Sequence, residues 1–364
     1  MSQAVFVQDY GVWLPTGDSA RGLLCATLAG VPAVNVEKTL ALAVGDDTRA
    51  HHPCLAVLPE EMDLQEQLEA RLEALAENCE QILLALPDVE QERHHRLLAL
   101  LESLSLSERI KEKLLIHWRG ACHEQFAGLL AALRGGDVAS FALLGVDSLV
   151  HPITLQQYAA AGTLRTDKSA DGVALGEGLA WCRFAREAGP YRWQNESRGV
   201  EPNHAAITPT ALAGLADTLA SLKPEAPLPR PSLIVHSRAQ TPKDDLEWHH
   251  ARQRLWPQRL APRVNLAMRK GELDAPQPEP QPYQQQLKPA LQVGELGAAA
   301  LPAAIALACE RLGWHLQPAE QALVVDRGDN GERFAALIDH CRDAQDGSVT
   351  PKQNKSAQRT GSEQ

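Results

Sequence analysis

Cys122 and His236 are the residues of this 364-residue sequence best suited to covalent chemistry. A thiol attacks as its thiolate, so it needs a base within reach and surroundings that favour the anion. Cys122 lies in Leu114-Leu-Ile-His-Trp-Arg-Gly-Ala-Cys-His-Glu-Gln-Phe126, after His117 and next to His123, and His236 closes the short apolar run Ser232-Leu-Ile-Val-His. With His117, His123 or Glu295 as further acid–base groups, these residues could carry nucleophilic catalysis. The competing reading of Cys122 is a small buried hydrophobe. No metal is expected at His117, Cys122 and His123, because their spacing fits no common ligand set. His51 and His52 are adjacent, so they point apart on a strand and read as surface histidines. No cofactor is implied.

The elements that must position these groups follow from periodicity. Phe126, Leu129, Leu130 and Leu133 form one apolar stripe of a helix that begins close to Cys122. Residues 4–14 alternate as a first strand, and Asp18 or Ser19 caps a helix running to about Ala29. Residues 31–60 read as extended and irregular, 60–77 as an acidic helix, and Gln81–Leu86 as a buried strand stopped by Pro87. Residues 89–113 read as further helix with a leucine stripe for the core. Ala139–Val146 reads as a buried strand ending at Asp147, followed by a helix-like segment and a polar loop, Thr163–Asp171. Gly172–Cys182 is glycine-dense between strand formers, which marks close backbone approach. Residues 189–204 read as a polar loop, and Thr208 caps a further helix. Residues 257–286 read as a surface loop with a basic patch and a Pro/Gln stretch, followed by an alanine-rich buried helix to Leu312.

Composition narrows the function classes. A net charge of −11 argues against nucleic acid or an anionic membrane as partner. Seven scattered cysteines without a Cys-x-x-Cys pair suit a reducing cytoplasm better than a disulfide framework. No 18-residue apolar run and no basic leader occur, so the expectation is a cytoplasmic protein with no membrane segment.

Asp171-Gly-Val-Ala-Leu-Gly-Glu-Gly178 resembles the D-G-F-x-x-G-E-G signature of β-ketoacyl-[acyl-carrier-protein] synthases, members of the thiolase-like fold. Residues 133–148 resemble the strand after that family's nucleophile helix. Gly11-Val-Trp-Leu-Pro-Thr-Gly17 and Leu28-Ala29-Gly30 resemble its opening turn and helix end. The resemblance runs over about residues 4–340. It implies an α/β thiolase-like fold of two similar α/β halves, 1–200 and 201–344, with a five-layered αβαβα core and a trimmed cap; residues 345–364 read from their polar, low-complexity composition as a disordered tail. It also implies a homodimer paired near the nucleophile, with strand Ala139–Val146 close to its two-fold mate.

The chemistry fits that family less well than the scaffold does. Counting back from Leu133-Arg134-Gly135-Gly136 puts the family's nucleophilic Cys on Arg119, and a guanidinium has no nucleophilic lone pair at neutral pH. His236 takes the position of one catalytic histidine, with Asp244 and Glu247 at the family's spacing, but Ser237-Arg238-Ala239 replaces the glycine–threonine turn. Gly294, beside Glu295, takes the position of the second histidine, and Lys288 stands one residue out of register with the family lysine. Asp329 replaces the family's Phe gate, and Glu332-Arg333 its Thr-Asn; a charged gate is a poor wall for an acyl tunnel. Asp329 and Lys288 are therefore candidate binding residues.

The expectation is a degenerate, non-catalytic synthase-like protein acting by binding. Degenerate proteins of this resemblance occur in bacterial type VI secretion effector gene clusters, which implies an accessory or chaperone role for an effector; an acyl carrier is the other partner implied. The alternative is an active 3-oxoacyl synthase-like acyltransferase using Cys122 and His236.

Overall fold

The computed structural model describes residues 3–59, 64–86, 106–118, 122–204, 212–223, 225–239, 241–257, 269–271, 283–314, 319–328 and 330–341. The strands in chain order are β1 (Val5–Trp13), β2 (Asn35–Val36), β3 (Leu42–Val44), β4 (Asp47–His51), β5 (Cys54–Ala56), β6 (Gln81–Leu86), β7 (Leu114–Trp118), β8 (Ser140–Ser148), β9 (Leu175–Ala185), β10 (Tyr191–Val200), β11 (Leu233–His236), β12 (Gln285–Leu287), β13 (Gln321–Arg327) and β14 (Glu332–His340). The helices are α1 (Ala20–Ala29), α2 (Leu64–Asn78), α3 (Glu108–Lys113), α4 (His123–Gly135), α5 (Pro152–Ala160), α6 (Gly214–Ala220), α7 (Pro242–Leu255), α8 (Ala290–Val293) and α9 (Ala300–Leu312).

Two runs of five strands, β7-β6-β8-β9-β1 and β12-β11-β13-β14-β10, share one construction. In the first, β7, β6 and β8 are parallel neighbours, while β9 and β1 run antiparallel to theirs. In the second, β12, β11 and β13 are parallel, and β14 and β10 antiparallel. The runs join edge to edge through Val5–Trp193, Phe6–Arg192 and Val7–Tyr191. The duplicated topology stands without a repeat at the level of residues, because strand order depends on apolar pattern and connection length, not on residue identity.

Side-chain alternation along the strands builds the layers. Leu83, Ala85, Phe141 and Leu143 from one run, and Leu233, Val235, Ala322 and Val324 from the other, turn into one central core with α4 and α9. Ile82, Leu84, Ala142 and Leu144 turn the other way onto α2, while Ile234, Leu323 and Val325 turn onto α6 and α7. The result is the five-layered αβαβα arrangement. Central α9 faces protein all round, which is why alanine dominates it; Ala300, Ala303, Ala304, Ala306 and Ala308 are fully buried.

Several local expectations hold. Ser19 caps α1, its hydroxyl accepting from the Gly22 N–H at 3.1 Å. The glycine-dense stretch does mark close approach: a Cβ on Gly176 would stand 2.1 Å from the Val293 carbonyl oxygen. Two expectations fail. His51 is buried and not at the surface, 5% exposed with its ring bonded to Thr166 and Asp47. Residues 191–200 form β10, not a loop, with Tyr191, Trp193 and Ser197 inward and polar residues between them; nine residue pairs to β14 stabilise a strand whose own apolar signal is thin. Strand β8 is paired on both its hydrogen-bonding edges, by β6 and β9. The outer edge of this run is β7. The helix expected over 89–113 is described only at α3, and Thr208, most of the basic and Pro/Gln loop and the 345–364 tail lie outside the described residues. Among those described, no helix is long and apolar enough to cross a membrane.

Candidate functional site

Cys122 is the N-cap residue of α4, with φ −78° and ψ 22°, and its side chain makes no capping bond. The sulfur packs in the central core with the residue 4% exposed. Burial, reinforced by the Asp326 carboxylate, pushes the thiol up to about 12. A helix N-terminus stabilises an anion by at most about 2 kcal/mol, or about 1.5 pH units. Burial therefore outweighs the dipole, and at pH 7 the thiolate is about one part in 10⁵. Cys122 behaves as a small buried hydrophobe.

His236 ends β11 inside the protein, its ring edge-on to Trp248 at 4.8 Å. Burial first, then the Lys288 cation, depresses its pKa to about 3. Lys288 itself pairs with Asp245 at 3.1 Å. His117 lies half-buried on the edge strand β7. Arg119 and Asp329 lie outside the described residues.

Gly294, where the resemblance implies a histidine, has a backbone that requires glycine. Its φ of +71° belongs to the left-handed region, and a Cβ there would stand 2.7 Å from the Leu175 carbonyl carbon and 2.8 Å from the Gly176 nitrogen. The backbone crosses β9 here, with Glu295 N–H donating to the Ala174 carbonyl at 2.8 Å and Gly176 N–H to the Glu295 carbonyl at 2.9 Å. This approach turns the Glu295 carboxylate inward.

Between Cys122, His236 and Glu295 runs a closed network of ions. Asp326, at the end of β13, accepts from His123 Nε2 at 2.7 Å and from the Ser237 hydroxyl, and lies 3.4 Å from Arg238 Nε. Arg238 Nη1 pairs with Glu295 Oε1 at 3.1 Å, and the Ala239 N–H donates to Glu295 Oε2 at 2.7 Å. Burial would raise the Asp326 pKa, but His123, Arg238 and Ser237 together hold it well below the usual carboxylate range. Beside this network Arg333 forks onto Glu247, Nε to both oxygens at 3.0 Å and Nη2 at 2.8 Å, with both residues buried. Glu247 also accepts from the Leu215 N–H at 3.0 Å. Arg327 pairs with Asp244, which closes a capping box with Thr241 at the start of α7.

The cavity these side chains leave, lined by His236, Ser237, Arg238, Asp244, Glu247 and Asp326, measures about 30 Å³. That admits a water or two and no acyl chain. Among the described residues, no three His, Cys, Asp or Glu are placed to hold a metal. Sequence reading missed Asp326 as the hub; the one signal for it was a carboxylate closing the apolar run Ala322-Leu-Val-Val325.

The buried histidine gives stability a definite pH dependence. His236 stays neutral in the folded protein down to about 3, while the unfolded chain takes its proton near 6.5. Its contribution is therefore complete above about 6.5 and declines as pH falls toward 3. Asp326, depressed in the fold, acts in the same sense at lower pH, losing its contribution as pH falls below its unfolded value. Urea midpoints measured from pH 7.5 to 4.5 are expected to fall steadily, and to fall less in His236→Leu. Equal slopes for both proteins would contradict the assignment of a neutral buried imidazole.

No protein-family model and no curated protein matches the sequence. Solved structures do match its fold. A structure of a ketosynthase in complex with its chain length factor from Xenorhabdus doucetiae aligns with a TM-score of 0.65 at 10% identity, over 93% of this chain and 98% of the other. A structure of a type II PKS acyl-carrier protein in complex with its ketosynthase bound to the hexaketide gives 0.66 at 12% identity, over 94% and 100%. The ketosynthase from module 6 of the bacillaene synthase of Bacillus subtilis 168 gives 0.63 at 13% identity, over 93% and 72%. The chain thus has the ketosynthase, thiolase-like fold.

Proposed function

We propose that this chain, with its ketosynthase fold, has given up carbon–carbon bond formation and works by binding a partner protein. Condensation needs a thiolate, histidines that can hydrogen-bond a thioester, and room for an acyl chain. The observation that carries the proposal is the closed His123–Asp326–Arg238–Glu295 network beside a buried Cys122. What supports the reading is that these side chains bond one another in the interior and do not face an open channel. The partner proposed is a type VI secretion effector, served in an accessory or chaperone role; this choice rests on the gene-cluster association of degenerate members of the resembled family. Supplied with acyl- and malonyl-acyl-carrier protein, the wild type is expected to form no more product than Cys122→Ala. Turnover lost in Cys122→Ala would restore the acyltransferase reading.

A second copy of the chain is the further partner proposed, through β7. Among the described residues this strand pairs only on its β6 side, and Leu115 and Ile116 are 43% and 44% exposed. An apolar open edge invites strand pairing. Light scattering is expected to give twice the 39.6 kDa chain mass at micromolar concentration, and Ile116→Lys is expected to give the monomer. A monomeric wild type would remove the dimer.

A further inference from the structure

We draw no further inference here: the strongest candidate, the exposed apolar patch of Leu28, Val31, Val36 and Leu291 where the end of α1 and the chain into β2 lie beside α8, carries none, because nothing in the structure shows what covers it.

Discussion

Arg333→Met is expected to cost about 3–5 kcal/mol of unfolding free energy, seen as a fall in Tm of about 5 °C in a chain of this length. Methionine fills most of the space but leaves Glu247 ionised, buried and without its counter-charge, since that carboxylate's other described contact is the Leu215 N–H. The size of the effect comes from that stranded charge, not from the worth of the ion pair, which two apolar residues could match. The double variant Arg333→Met/Glu247→Leu is therefore expected to recover part of the loss. Recovery is incomplete because the Leu215 N–H at the start of α6 loses its acceptor, at about 1–3 kcal/mol. Calorimetric scans of the three proteins check both statements. A single variant as stable as wild type would mean that water reaches Glu247.

Gly294→His places an imidazole where the resemblance implies one, and is expected to abolish cooperative folding. A backbone at φ +71° and ψ 179° is essentially open to glycine alone and disfavours a side chain by about 1–3 kcal/mol. The larger cost is steric, since the Cβ would stand 2.7 Å from Leu175 and 2.8 Å from Gly176, both backbone atoms of β9 that cannot swing aside. Together these exceed about 4 kcal/mol, beyond the usual range for a point substitution. Gly294→Ala should lose nearly as much, because the clash begins at Cβ. Near-UV circular dichroism and thermal scans read the outcome. A folded Gly294→His protein with the wild-type Tm would show that this segment is free to move back toward a catalytic arrangement.

Most of the scaffold was legible because it is written in short-range pattern. Alternation in 4–14, the run Gln81–Leu86 and the stripe Phe126–Leu133 each specify an element without knowledge of its neighbours. Strand β10 was not legible, because its pairing energy comes from β14, some 140 residues away in the chain. The edge role of β7 was hidden for the same reason: only the strand order shows which strand has an open side. In the site, it is the resemblance that implies a cysteine position at Arg119 and a histidine position at Gly294. The sequence does not show which side chains meet there. Arg238, Glu295 and Asp326 are far apart in the sequence, with nothing local to join them, and only the fold brings them within hydrogen-bonding distance. Glu247 and Arg333 had each been singled out, 86 positions apart, with nothing local to say that they pair.

The most direct test of the central claim is the intact mass of the folded wild-type protein after exposure at pH 7.5 to an acyl-phosphopantetheine probe, with peptide mapping of all seven cysteines. The expected result is no acyl adduct on Cys122 in the native protein, with modification there only once the chain is unfolded. A stoichiometric adduct on Cys122 in the folded state, absent from Cys122→Ala, would contradict it.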